Sequence, residues 1–149
     1  MTELPRKTPF KDSIGYSLAH ACKHHRQRAE ELLSEIGLHT GQEMLLCGLW
    51  ENEGITQTEL ANHMMIQPAT VTNMLQRLER EGFVERRPDI EDQRVSRVYT
   101  TAKGRDIEER VLEKWSQLEQ ESFRGLSVEE RVLLRRLLLQ VYQNLGGRA

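Results

Sequence analysis

Between residues 68 and 81, the polar side chains able to bond base edges or phosphate oxygens fall on one side of a helical repeat. At about 100° per residue, Val71, Met74, Leu75 and Leu78 form an apolar stripe. Opposite it stand Ala69, Asn73, Gln76 and Arg80, flanked by Thr70, Thr72 and Arg77. This outer face carries no acid in its first three turns, and its start, Gln67 and Pro68 followed by Ala69, is small enough to approach a major groove closely. A second group follows on an alternating stretch: Arg86, Arg87, Arg94 and Arg97, with Asp92 two residues before Arg94. At that spacing a carboxylate can brace a guanidinium. A braced Arg at a protruding tip suits a narrow minor groove, whose negative potential is enhanced. The acids Asp89, Glu91 and Asp92 oppose this reading, and at least one must point away from phosphate if the tip docks.

Other chemistry is weaker in the sequence. His20 and His24 lie four apart on one helical face, and Cys22, His25, His39 and His63 add ligand types that zinc would accept. No HExxH or CxxC spacing fixes a complete site, so no metal and no cofactor are expected. Cys22 and Cys47 sit in apolar-facing runs and read as small packed hydrophobes rather than reactive thiols. A nucleophile elbow and a phosphate-cradling glycine loop are both lacking, and the glycines fall at helix ends, so the chain reads as no enzyme.

The elements that must position these residues follow from periodicity. A long helix is expected from Thr8 to the Gly37 stop. Thr40 with Glu43, Thr56 with Glu59 and Ser127 with Glu130 read as capping boxes opening three further helices. Pro68 suits the first position of the helix that carries the outer polar face, and Gly82 ends it. Around residues 83–87 and 95–100 the period changes to alternation, which predicts a hairpin with a long polar tip. Thr101 then caps a helix bearing Ile107, Val111, Trp115 and Leu118. The expected order is ααααββαα, mainly α with a small β-hairpin.

At 149 residues the chain is one domain's worth, with 38% hydrophobic and 30% charged residues. No run approaches the roughly 18 apolar residues of a membrane span, and residues 1–12 lack the apolar core of a signal peptide. A cytoplasmic protein with no membrane partner is expected. The net charge is −2, and residues 55–101 hold six bases against seven acids, so any hold on nucleic acid must come from placing a few Arg side chains on one face. The terminal helices offer more apolar surface than a chain of this size can cover, which predicts a dimer.

Residues 38–104 resemble the winged helix-turn-helix regulators of the multiple-antibiotic-resistance regulator (MarR) family. The matching residues are Thr56-x-x-Glu59-Leu60-Ala61, Pro68-Ala69-Thr70-Val71-Thr72, Leu75-x-x-Leu78-Glu79-x-x-Gly82-Phe83-Val84, Arg86, Asp92-x-Arg94-x-x-x-Val98 and Thr101-x-x-Gly104. Gln67 and Thr100 depart from the pattern, standing where a Ser cap and an apolar strand end are usual. The resemblance implies a homodimer on a pseudo-palindromic DNA operator, acting as a transcriptional regulator and most simply a repressor. Residues 1–39 and 102–149 would form the dimerisation helices and 40–101 the DNA-binding domain. The implied DNA-binding residues are Gln67, Pro68, Ala69, Thr70, Thr72, Asn73, Gln76, Arg77, Arg80, Arg86, Asp92 and Arg94. It further implies release by a small aromatic or lipophilic effector in an interdomain cleft, where Tyr16, His20, His24 and Trp50 are the candidate contacts. A redox-responsive variant is disfavoured, because the sensing-thiol position of the peroxide-responsive branch falls on Gly15 and Cys22 lies two turns later. The remaining alternatives are a metal-responsive form of the same regulator and a winged helix used only as a protein-interaction module.

Overall fold

A computed structural model describes residues 9–147. After a 3-10 turn at Phe10–Asp12, α1 spans Ile14–Ser34. Thr8, the expected start of that helix, lies outside the described residues; the helix itself begins where the Ser13 side chain accepts the Tyr16 N–H at 3.1 Å. The next helices are α2 (Gln42–Glu51), α3 (Gln57–Met64) and α4 (Pro68–Arg80). The boxes at Thr56/Glu59 and Ser127/Glu130 form as expected. That at Thr40/Glu43 does not. Gly41, at φ 99°, is the N-cap of α2, while the Thr40 hydroxyl and N–H both donate to Glu30 of α1. Glu43 still turns back, accepting the Gly41 N–H at 2.7 Å. A carboxylate from ten residues upstream has taken the hydroxyl that the local motif would use.

Strands β1 (Val84–Pro88) and β2 (Ser96–Thr100) pair antiparallel, with Val84 opposite Thr100 and Pro88 opposite Ser96. The residues after α2 add a short third rung. Gly54 donates to the Val98 carbonyl at 2.9 Å, Val98 donates to the Ile55 carbonyl at 3.0 Å, and Thr56 bridges Arg97. The hairpin is thereby tied at its base to the α2–α3 junction. Thr100, the polar departure at the strand end, is buried because its N–H and hydroxyl both donate to Glu53.

The single helix expected after Thr101 is two: α5 (Ala102–Asp106) and α6 (Glu108–Ser122), parted by a turn at Ile107. Ile107 keeps right-handed helical angles and a buried side chain, so the apolar spacing runs through the break and periodicity does not reveal it. The main core joins Leu45, Leu46, Leu49, Leu60, Val71, Leu75, Leu78, Val84 and Val98, and takes in Leu33, Leu38, Ile107 and Val111 from the flanking segments. A smaller cluster of Ala29, Leu32 and Leu118, with Trp115 against it, holds α1 to α6. Arg28 reinforces that pairing through two hydrogen bonds to Glu121, at 2.7 and 3.0 Å.

The last helix, α7 (Val128–Asn144), buries none of its residues. Val132, Leu133, Leu137, Leu138, Leu139 and Tyr142 are all exposed. Cys22, expected to be packed, is exposed as well, because the inward stripe of α1 begins only at Ala29. None of the helices described is long and apolar enough to cross a membrane.

Candidate nucleic-acid interface

The interface begins with α4. Val71, Leu75 and Leu78 are fully buried and fix the helix's rotation on the core. Pro68, Ala69, Thr70, Asn73, Gln76, Arg77 and Arg80 consequently face outward. Pro68 occupies the first turn, and the Gln67 N-cap makes no side-chain capping bond, as its departure from Ser leads one to expect. Thr72 is the exception on this face. Its hydroxyl donates to the Pro68 carbonyl at 3.0 Å and accepts from Gln57 Nε2 at 2.5 Å, so it fastens α3 to α4. Arg77 lies 3.8 Å from Glu81, one turn on.

The four hairpin arginines divide by what they touch. Arg86 donates to Glu79 of α4 at 2.6 Å, which locks β1 against the reading helix and occupies a guanidinium expected to meet DNA. Arg87 pairs with Glu85 and lies 4.4 Å over the Tyr99 ring. Arg97 donates to Asp89 and, at 2.7 Å, to the Gly54 carbonyl. Arg94 alone among them projects, with its side chain 92% exposed. Its Nε and backbone N–H each donate to Asp92 Oδ1 at 3.1 Å, so the brace inferred from the two-residue spacing is present.

The acids that counted against docking are largely consumed. Asp89 turns inward to Arg97 and accepts the N–H groups of Glu91 and Asp92, and these contacts hold its carboxyl below the usual range, Arg97 most strongly. Asp92 is likewise held low, first by the Arg94 guanidinium. What stays exposed at the tip is the Arg94 guanidinium, held by Asp92, with the Glu91 carboxylate beside it.

Pro68 at the start of α4 and Arg94, Val95 and Ser96 of the hairpin line one notch together with Thr56, Gln57 and Thr58. A second depression is lined by Gln76, Glu79, Arg80 and Arg86. The outer face of α4 and the hairpin therefore border common hollows. The sequence reading missed Gln57 and Thr58; the Thr56 capping box, which sets the positive end of α3 at that spot, was the available signal.

The four candidate effector contacts are not brought together. Tyr16 and His20 lie 4.3 Å apart between ring centroids, tilted by 47°, on the N-terminal half of α1, and His24 lies exposed one turn further on. Trp50 packs on the main core and donates Nε1–H to the Gly104 carbonyl at 2.9 Å. A different groove runs between α2, α3, α4 and the end of α7. Met44, Met64 and Met74 form its apolar body and Arg26, Arg77 and His63 its polar edge. Cys47 also borders it, its thiol pushed up by burial and by the carboxylates of Glu43, Glu51 and Glu108, which works against a reactive thiolate. Among the described residues no three His, Cys, Asp or Glu side chains converge as a metal site.

Comparison with known proteins gives the same architecture. The MarR family model matches residues 27–96. The HTH-type transcriptional repressor IacR of Pseudomonas putida is 33% identical over 130 residues, covering 87% of this chain and 78% of that protein. A single-site mutant of MarR from E. coli, solved in complex with operator DNA, superposes with a TM-score of 0.80 at 28% identity, over 90% of this chain and 99% of that one. BpsR of Bordetella bronchiseptica, solved to explain regulation of its DNA binding by 6-hydroxynicotinic acid, gives 0.83 at 25% identity, over 91% and 97%.

Proposed function

The chain belongs to the MarR family and is a DNA-binding transcriptional regulator, not an enzyme, and from that premise we propose a cytoplasmic homodimeric repressor that grips a pseudo-palindromic operator and lets go on binding a small effector. The observation that carries the dimer is α7. A helix presenting seven exposed large hydrophobics along its length, Val128 among them, with no residue buried by its own chain, has the face of an obligate interface. Residues 1–39 and 102–149 would supply that interface and 40–101 the reading unit. Each protomer then offers α4 to a major groove through Gln67, Pro68, Ala69, Thr70, Asn73, Gln76, Arg77 and Arg80. Arg94, braced by Asp92, enters the adjacent minor groove, while Thr72 and Arg86 hold the helix and hairpin in place.

The effector reading moves from the paired rings of α1 to the groove between α2, α3, α4 and α7. Methionines adapt to flat apolar shapes, and the guanidiniums of Arg26 and Arg77, set against the single carboxylate of Glu51 on the same lining, favour an anionic substituent. A small aromatic carboxylate fits that lining, in line with the 6-hydroxynicotinic acid to which BpsR responds. Occupation would press on Met74 and Thr70 of α4 and so change its pose.

Selection of bound sequences from random duplex DNA at two salt concentrations, with the mass of the bound protein measured, tests the reading. The expected result is an inverted repeat with half-site centres about 10 bp apart, bound by a dimer and lost as salt rises. A single half-site bound by a monomer as tightly as the repeat would overturn the dimeric operator.

A further inference from the structure

Arg94 is nearly bare, and its own brace, Asp92, sits on the same loop two residues away. A brace that moves with the loop cannot fix where the loop points. The fixing contacts lie deeper. Asp89 closes the tip: its N–H donates to the Val95 carbonyl at 2.9 Å, and its Oδ1 accepts from the N–H groups of Glu91 at 2.8 Å and Asp92 at 3.1 Å. Its other carboxylate oxygen receives Nε–H of Arg97. Arg97 spends a second donor on the Gly54 carbonyl, 43 positions away, where the chain passes from α2 to α3. Gly54 in turn donates to the Val98 carbonyl in the next position of β2. A continuous run of contacts thus leads from the α2–α3 junction through Arg97, Asp89 and the tip backbone to Asp92 and Arg94.

We propose that Arg97 and Asp89 are positioning residues for DNA binding. They do not touch the duplex; they hold the hairpin tip at a fixed angle to α4, so that Arg94 meets one groove while the helix occupies the next. Arg97 is basic and lies beside the interface, so a charge count would assign it to phosphate. The geometry instead assigns its fork to two internal acceptors. Freezing the tip before binding removes an ordering cost that a loose loop would incur on the duplex.

The inference rests on the DNA-binding reading, and a double-mutant cycle on the full-length protein separates the two. Binding to the selected operator duplex is measured by fluorescence anisotropy for wild type, Arg97→Met, Arg94→Ala and the double variant, each over a salt series. Arg97→Met alone is expected to weaken binding about tenfold, the order of one lost groove contact. In the Arg94→Ala background the same change is expected to cost less than about twofold, because the tip then has nothing to present. The dependence of log affinity on log salt in that background should not change. Additive losses, with a salt slope smaller by about one phosphate contact, would show Arg97 gripping DNA itself and overturn the proposal. A general loss of folded protein would also weaken both backgrounds equally, and so would count against it. Asp89→Asn, which keeps its acceptor for the tip N–H groups while weakening the Arg97 pair, should show a smaller loss with the same non-additivity. Wild-type protein that selects no operator would overturn the DNA reading and this inference together, whereas wild-type binding with an additive cycle overturns only the latter.

Discussion

The Tyr142 hydroxyl donates to the Met65 sulfur at 2.9 Å, joining residues 77 positions apart. Met65 is the described non-glycine residue with positive φ, 54°, at the corner where α3 gives way to α4. The last turn of α7 therefore touches the corner that aims the reading helix, and it does so beside the methionine-lined groove. Motion of α7 and the pose of α4 share a contact.

The left-handed backbone at Met65 makes the corner sensitive to side-chain shape. A β-branched residue there is strained, whereas Asn visits this region readily. Met65→Val is expected to lower unfolding free energy by about 1–2 kcal/mol, and Met65→Asn to cost much less. Urea denaturation of the two variants decides it; equal losses would mean that the contact with Tyr142, and not backbone conformation, sets the cost.

Gly104 lies inside α5, not at a helix end, and its presence is a matter of clearance. A Cβ at that position would stand 2.0 Å from the Phe83 carbonyl oxygen and 3.3 Å from Thr100 Cβ. The same carbonyl accepts the Thr101 N–H at 3.0 Å, so the helix start and the strand entrance are pinned together there. Gly104→Ala should destabilise by about 1–3 kcal/mol or more through overpacking. Gly15, in the first turn of α1 with nothing within 4 Å of its missing Cβ, should respond oppositely, Ala gaining at most about 0.5 kcal/mol, the low end of the helix-interior difference. Thermal unfolding of both variants checks the sign of each, and a destabilising Gly15→Ala would reveal a neighbour on that face.

Residues that act within a few positions of one another were readable from sequence: the Thr56–Glu59 and Ser127–Glu130 boxes, Pro68 at the start of α4, and the Asp92 brace on Arg94. What sequence could not show were the competitors from elsewhere in the chain. Glu30 captures Thr40, Glu79 captures Arg86, Gln57 captures Thr72, and Glu53 makes a buried Thr100 acceptable at the strand end. The groove was invisible for the same reason, since its lining comes from helices separated by tens of residues. Four aromatic or polar-tipped side chains chosen by type alone had no reason to meet.

Thr100 provides a measurable case. Replacing it with Val keeps the shape but removes the hydroxyl that donates to Glu53, leaving that carboxylate with the backbone N–H at 3.0 Å. A loss of about 1–2 kcal/mol is expected, the order of a hydrogen bond to a charged group. If Thr100→Val matches wild type in denaturant, burial of the extra methyl has offset the bond, and the double variant with Glu53→Gln should then be the more stable of the pair.

Glu30 links α1 to the start of α2 and gives the fold an acid dependence. The Thr40 hydroxyl and N–H, and then His39 at 2.7 Å, lower its carboxyl from the ordinary 4.5 to about 2. A carboxyl held low in the folded state stabilises fully above its unfolded value, and that contribution fades as pH falls from about 4.5 through about 2. Glu30→Gln should therefore be less stable than wild type at neutral pH, with the gap closing over that window. A gap independent of pH would assign the effect to hydrogen bonding alone.

The separation of roles at the interface yields a last prediction. Asn73 sits exposed on the outer face of α4, at a register from which an amide can bond an adenine edge, whereas Arg94 stands at the hairpin tip, 92% exposed and braced by Asp92. Asn73→Ala should cost about 1–3 kcal/mol on the selected operator and relax its preference at one or two base pairs, while affinity for random duplex is retained. Arg94→Ala should weaken operator and random duplex by similar factors, because the minor-groove potential it answers depends on groove width more than on a single base. Competition binding with operator and random duplexes measures both ratios. If Asn73→Ala lowers affinity for random DNA as much as for the operator, the α4 face is holding the backbone instead of reading bases, and sequence choice must come from elsewhere on the helix, with the exposed Gln76 and Arg80 the next residues to change.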